Sequence, residues 1–114
     1  MKGAAEEDLA LRHLLAQGMK TVARNWRCAG GELDLVMCHG AVLVIAEVRK
    51  RSNAKFGSAA ESVDARKRSR IVHAARLFLA AHPDYAQHEV RFDVLALDAA
   101  NNIQWLRAAF DAQT

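Results

Sequence analysis

The chain has 114 residues, of which 52% are hydrophobic and 25% are charged. This length and composition predict one compact domain over residues 1–114 and exclude a disordered chain. No apolar stretch approaches the roughly 20 residues of a membrane span, and the net charge of +3 is too small to indicate a function by itself. Because the N-terminus lacks the apolar segment of a secretory signal, we expect a cytoplasmic protein without a membrane partner.

Periodicity and turn signals predict two helices and five strands in the order αβββαββ. The first helix covers about residues 4–17, and the second covers about residues 61–81, ahead of Pro83. The predicted strands cover residues 20–28, 32–38, 41–48, 88–98 and 103–106, and residues 52–62 are predicted to form a loop. This order predicts a single α/β domain in which a mixed β-sheet is flanked by helices.

The second and third strands are joined by His39 and Gly40, which we predict to be the two residues of a hairpin turn. In that register Glu32 faces Glu47, and Asp34 becomes a diagonal neighbour of Glu47 on the same face of the sheet. The opposite face is then wholly apolar and consists of Leu33, Leu35, Met37, Val42, Val44, Ala46 and Val48.

Two carboxylates on one face, those of Asp34 and Glu47, would repel each other at a Cβ separation on the order of 7 Å. A divalent cation removes this conflict, and Mg²⁺ favours one or two carboxylates together with water and phosphate oxygens. The spacing therefore predicts a Mg²⁺ or Mn²⁺ site that meets a phosphate group. The alternative is a half-solvated strand whose exposed acids pair with Arg49, and spacing alone does not decide between the two.

Basic residues are concentrated in the middle of the sequence. Half of the 16 Lys and Arg residues lie between Arg49 and Arg70. Such clustering is typical of a polyanion partner, although a solvated helix face would give a similar pattern. The predicted nucleic-acid-binding residues are Arg49, Lys50, Arg51, Lys55, Arg66, Lys67 and Arg70.

Several segments carry a family resemblance: RNWRCAGGELD, GELDLV, AEVRKRS, FGSAAESVDARK, VRFDVLAL and AF near the end. Together they cover nearly the whole chain and resemble the YraN family of uncharacterised bacterial proteins. The resemblance implies a restriction-endonuclease-like fold, similar to that of archaeal Holliday-junction resolvases and the wider PD-(D/E)XK nucleases. It also implies a nucleic-acid partner, for which we expect DNA although the sequence does not decide between DNA and RNA, and by analogy of fold a homodimer.

The resemblance implies roles for individual residues. Asp34 and Glu47 match the metal-binding acids of the nuclease pattern. Glu7 matches its acid on the first helix, and we expect it to help bind the metal directly or through water. Arg49 occupies the position of the Lys that orients or activates the attacking water. Because arginine effectively never loses its proton, we expect Arg49 to bind the scissile phosphate, and cleavage stays an open question. Either the metal ion activates water without a side-chain base, or Lys67 reaches the site.

Three functions are compatible with this sequence. The first is a Mg²⁺-dependent endonuclease that acts on DNA, including branched or damaged structures. The second is a nucleic-acid-binding module without catalysis, which the substitution at Arg49 favours. The third is a protein-interaction domain in which the acids are structural.

Other polar and aromatic side chains are predicted to be structural. Asp93 alternates with apolar neighbours in RFDV, so we expect it to pair with Arg91 or accept a structural hydrogen bond rather than bind a metal. Trp26 and Trp105 are predicted to pack in the core or an interface rather than stack on bases.

Overall fold

The computed structural model describes residues 3–51 and 63–112. Within these ranges it contains two α-helices and five strands in the order αβββαββ, which confirms the predicted order. The helices are α1, Ala4–Ala16, and α2, Ala65–Ala81, and a short 3₁₀ turn, Pro83–Tyr85, follows α2. The strands are β1, Lys20–Cys28, β2, Gly31–His39, β3, Val42–Lys50, β4, Glu89–Leu97, and β5, Ile103–Phe110. The predicted loop 52–62 lies outside the described residues.

Local capping determines where each helix begins. The carboxylate of Asp64 accepts the backbone N–H of Lys67 at 2.9 Å, so α2 begins at the next residue, Ala65, rather than near 61 as predicted. At the start of α1, the side chain of Glu6 accepts the backbone N–H of Gly3 at 3.1 Å. This bond satisfies one of the backbone donors that a helix start leaves unpaired.

The sheet has the strand order β1-β2-β3-β4-β5, and only the β3–β4 pair is parallel. Parallel neighbours need a crossover connection, and the segment that contains α2 supplies it. The result is a mixed sheet with a helix on each face. This arrangement confirms the predicted α/β architecture and agrees with the restriction-endonuclease-like fold that the resemblance implies.

Neither helix of the described ranges is long and apolar enough to span a membrane.

Two hydrophobic clusters pack on opposite faces of the sheet. The cluster beneath α2 includes Leu33, Val36, Leu43, Ile45, Ile71, Phe78 and Val94. The cluster beneath α1 includes Ala10, Leu14, Leu35, Met37, Val44, Ala46, Val48, Leu95 and Leu97.

The β2–β3 turn lies one residue later in the chain than predicted, and this shifts the strand pairing by two residues. His39 pairs with Val42, so the turn consists of Gly40 and Ala41. Gly40 has a φ of 61°, which suits the first central position of a type II′ turn. Because the side-chain period of a strand is two, this shift leaves the face of every side chain unchanged.

The alternation of β2 slips at Asp34. Leu33 packs in the cluster beneath α2 and Leu35 in the cluster beneath α1, although both were predicted on one face. On β1, their pairing partners are the two residues that flank Asn25, which has a φ of 50°. The irregularity therefore involves both strands, with Asn25 opposite Asp34.

Candidate metal and phosphate site

Asp34 and Glu47 are held against each other at the end of the β2–β3 pairing. The last paired residues are Leu35 and Ala46, and Asp34 and Glu47 are the next residues of the two strands. The backbone N–H of Asp34 donates to Oε2 of Glu47 at 3.3 Å, and the backbone N–H of Val48 donates to Oδ2 of Asp34 at 2.9 Å. Each carboxylate thus accepts a backbone donor at the point where the strand pairing ends.

Both carboxylates are withdrawn from solvent, with relative exposures of 2% for Asp34 and 1% for Glu47. Buried carboxylates are costly unless hydrogen bonds or positive charge compensate them. Two carboxylates are also the usual number of protein ligands for Mg²⁺, which keeps water and phosphate oxygens in its other positions. The donor set of this pair therefore fits a divalent cation.

Two clefts lie at this end of β2 and β3, and Asp34 lines one of them. The α2 cleft has a volume of about 650 Å³, and its lining includes Arg27, Gly31, Glu32, Asp34, Lys67 and Arg70. The α1 cleft has a volume of about 510 Å³, and its lining includes Glu7, Asn25, Arg27, Glu32, Arg49 and Lys50.

Arg27 and Glu32 line both clefts, and they form an exposed ion pair of 3.5 Å between Nε and Oε2. The side chain of Arg27 is 77% exposed, so this pair is weak and leaves the guanidinium available to an anion. We did not predict a role for Arg27. Its position beside the GGELD segment was the only available signal, because the link between the clefts depends on the β1–β2 pairing.

The predicted cations divide between the two clefts. Lys67 and Arg70 line the α2 cleft together with Asp34. Lys67 is the basic residue for which the sequence left open a place in the site. Arg49 lies in the α1 cleft. Positive side chains thus line both the cleft that contains Asp34 and the α1 cleft, an arrangement that can bind phosphate oxygens.

The remaining predicted nucleic-acid-binding residues take other positions. Lys50 lines the α1 cleft with its Nζ 3.3 Å from Oε1 of Glu6, and Arg51 donates to the side-chain oxygen of Gln104 at 2.6 Å. Arg66 is exposed in the first turn of α2. Lys55 lies outside the described residues.

Glu7 belongs to the α1 side of the sheet. It is 7% exposed, and its Oε1 accepts the side-chain amide of Asn25 at 3.0 Å. A second contact, of 3.7 Å, joins Oε1 to Nη2 of Arg24. Residues 3–51 and 63–112 contain no group of three or more His, Cys, Asp or Glu placed to hold a metal ion. A cation at the pair would therefore take Asp34 and Glu47 as its carboxylate ligands, and Glu7 would act through water.

The carboxylate of Glu6 helps to place the cation of Lys50. Backbone N–H groups of Glu6 and Gly3 at the start of α1 hold the pKa of Glu6 below its ordinary value of 4.5, and Lys50 acts in the same direction. Lys50 is therefore directed towards α1.

Asp93 is structural, as predicted. It is fully buried, and its two oxygens accept Nε and Nη2 of Arg91 at 2.8 and 2.9 Å. They also accept the indole N–H of Trp105 at 2.9 Å and the backbone N–H of Ala108 at 3.0 Å. Ala108 has a φ of 50°, and β5 continues through this irregularity to Phe110, beyond the predicted end at 106. This network joins β4 to β5.

Comparisons with known proteins place the sequence in one group. The model of "Uncharacterised protein family UPF0102" matches residues 6–97. A UPF0102 protein of Pseudomonas entomophila (strain L48) is 50% identical over 113 residues, which cover 96% of this chain and 92% of the relative. A UPF0102 protein of Stutzerimonas stutzeri (strain A1501) is 47% identical over 113 residues, which cover 96% of this chain and 94% of the relative. These matches confirm the resemblance to the YraN family.

Proposed function

The chain belongs to the uncharacterised protein family UPF0102, and we propose that it is a metal-dependent nuclease-like protein that binds DNA and cleaves its phosphodiester backbone. The observation that carries this proposal is the backbone hydrogen bonding of two neighbouring acids: the N–H of Val48 donates to Asp34, and the N–H of Asp34 donates to Glu47. It holds two buried carboxylates at one point, beside a cleft lined by Lys67 and Arg70. Phosphodiester hydrolysis requires carboxylates that can hold a metal ion and, next to them, basic side chains that can hold phosphate.

Each residue has a separate task in this proposal. Asp34 and Glu47 would hold Mg²⁺ or Mn²⁺, which when bound stabilises charge on phosphate oxygens and makes water a better nucleophile. Arg49 donates to a phosphate oxygen, since its guanidinium stays charged at any physiological pH. Lys67 and Arg70 contact backbone phosphates, which adds affinity without reading sequence. Glu7, held by Asn25, accepts hydrogen bonds from water on the α1 side.

The test uses variants that keep the shape of the site. The wild type, Asp34→Asn and Glu47→Gln are incubated with Mn²⁺ and a panel of linear, flap and four-way DNAs. The amides preserve an acceptor for the backbone donors but remove the charges that bind a cation. We expect cleavage by the wild type and loss of cleavage in both variants, with unchanged folding. Asp84→Asn, at an exposed position in the 3₁₀ turn, is the control that should cleave normally. Cleavage that persists in both site variants would contradict the proposal.

A second candidate is a nucleic-acid-binding module on the same fold, and Arg49 is the observation that favours it. An arginine at this position can clamp phosphate but cannot take up a proton from water. This candidate predicts DNA binding that weakens steeply with salt, together with no cleavage in Mg²⁺ or Mn²⁺. The same DNA panel, followed by a salt titration of binding, distinguishes the two.

The homodimer and the cytoplasmic location are part of this proposal as well. The dimer is supported by the fold resemblance alone. Sedimentation at several protein concentrations, with and without DNA, tests it.

A further inference from the structure

Asn25 has a backbone conformation that few residues adopt inside a strand. Its φ is 50°, in the left-handed region, where Asn is tolerated far better than most residues other than Gly. It lies on β1 opposite Asp34, between the pairs that Leu33 and Leu35 make with β1. This is the position at which both strands reverse their alternation, so the left-handed residue and the change of face at Leu33 belong to one irregularity.

The side chain of Asn25 points to another acid of the site. Its amide Nδ2 donates to Oε1 of Glu7 at 3.0 Å, and Glu7 is 7% exposed. The amide must donate here because a carboxylate only accepts. Both side chains line the α1 cleft, as does Val48, whose backbone N–H binds Asp34. One residue thus touches Glu7 through its side chain and faces Asp34 through its backbone.

We propose that Asn25 is a positioning residue for the carboxylate site, a proposal that rests on the proposed metal-dependent function. Its left-handed backbone allows the irregularity that puts Leu33 beneath α2 and turns the side chain of Asn25 towards Glu7. Its amide fixes the carboxylate of Glu7 at the wall of the α1 cleft. Glycine would supply the backbone conformation without the amide, and most other residues would supply neither.

This division of labour leads to a test with three variants. Asn25→Gly keeps the left-handed conformation and removes the amide, whereas Asn25→Ala removes both. Asn25→Asp tolerates the conformation but places a carboxylate against Glu7. Asn101 is the matched control because it also has a positive φ, of 64°, in the turn between β4 and β5. Asn101→Gly and Asn101→Ala therefore report the cost of a left-handed residue outside the site.

The measurements are thermal unfolding and Mn²⁺ binding. We expect Asn25→Gly to keep its Tm and to bind Mn²⁺ about 10- to 100-fold more weakly, the usual effect of removing a residue that orients metal ligands. Asn25→Ala should show the same loss and a Tm lower by about 4–8 °C. Asn101→Ala should lose only Tm. Unchanged Mn²⁺ binding in Asn25→Gly would overturn the proposal.

An NMR readout separates this proposal from the proposed function. In the wild type, the side-chain amide protons of Asn25 should resonate downfield because they bind a carboxylate, and Glu7→Ala should move them upfield. In Asn25→Gly the backbone amide resonances of Asp34 and Val48 should shift. If the wild type binds no Mn²⁺ but these shifts occur, the metal-dependent function fails and the positioning by Asn25 is retained. If the resonances do not move, the positioning role is wrong whatever the protein binds.

Discussion

Gly31 and Arg70 bring β2 and α2 into backbone contact: a Cβ on Gly31 would lie 2.7 Å from the carbonyl oxygen of Arg70 and 3.1 Å from Cβ of Ala74. A side chain of any size is excluded at this position, because the nearest atom belongs to the backbone of the helix and cannot rotate away. The contact lies beside Asp34 on the sheet and beside Lys67 on the helix. The missing side chain of Gly31 therefore sets how close the cations of α2 come to the carboxylates.

We predict that Gly31→Ala destabilises the protein by about 1–3 kcal/mol, the usual cost of overpacking a close contact. It should also weaken DNA binding, since α2 must move away from the sheet edge with Lys67 and Arg70. Urea unfolding and a binding titration measure the two effects. Gly40→Asn is the control for DNA binding, because Gly40 has open space around it and the variant bears only the strain of a side chain at a positive φ of 61°. A Gly31→Ala protein as stable as the wild type would show that the helix adjusts freely.

Asp34 accepts a hydrogen bond from Val48 and is the proposed ligand of a metal ion. Comparing Asp34→Ala with Asp34→Asn separates these two roles. Alanine leaves the buried backbone N–H of Val48 without its acceptor, which should cost about 1–3 kcal/mol. Asparagine keeps an acceptor and should lose less. At a Mn²⁺ concentration of about 100 times its Kd, the wild type should gain about 2.7 kcal/mol of stability and its Tm should rise. The Tm of both variants should not respond to Mn²⁺. Equal stability of the two variants would contradict the role given to this bond.

Arg49 distinguishes phosphate binding from catalysis. Arg49→Ala should weaken DNA binding and reduce the slope of log affinity against log salt by about 1, the value for one lost phosphate contact. Arg49→Lys should bind DNA nearly as well and cleave faster, because lysine can give up a proton when its pKa is depressed. Arg76→Ala is the arginine control, because Arg76 is exposed on α2 and lines neither the α1 cleft nor the α2 cleft. An unchanged salt slope in Arg49→Ala would mean that Arg49 does not contact phosphate.

The sequence allowed the elements and the common side of Asp34 and Glu47 to be predicted, but not the local irregularities of the hairpin. The helix and strand order follows from periodicity, and the side of Asp34 and Glu47 follows from parity, which an even register shift preserves. The turn was misplaced because Gly40 can occupy either central position of a two-residue turn. The slip at Asp34 depends on Asn25 in the neighbouring strand, so no pattern within β2 alone could reveal it. For the same reason, the contact of Gly31 with α2 appears only after the chain has folded.

Asp93 should affect stability without affecting the carboxylate site. Asp93→Ala leaves Arg91, the indole of Trp105 and the N–H of Ala108 without their shared acceptor. We expect a loss of about 3 kcal/mol, the lower end for breaking a buried pair, because the side chain of Arg91 is 27% exposed. Asp93→Asn should lose less, since it keeps acceptors for the neutral donors. Mn²⁺ affinity measured below the unfolding transition should stay unchanged in both variants, and a parallel loss of metal binding would contradict a purely structural role.

Asp98 should make the stability of the protein depend on pH in the acid range. Backbone N–H groups of Asn102 and Ala100 and the side chain of Asn102 hold the pKa of Asp98 below its ordinary value of 3.8. The unfolded chain therefore binds this proton more readily than the folded one, so the stabilisation is complete above pH 3.8 and is lost as the pH falls through the lower folded pKa. We expect Asp98→Asn to be less stable than the wild type at neutral pH. This difference in stability should shrink as the pH falls below 3.8. Urea unfolding at about pH 3 to pH 7 measures this, with Asp84→Asn as the exposed control. A difference that stays constant down to the most acidic pH would show that the turn does not depend on the charge of Asp98.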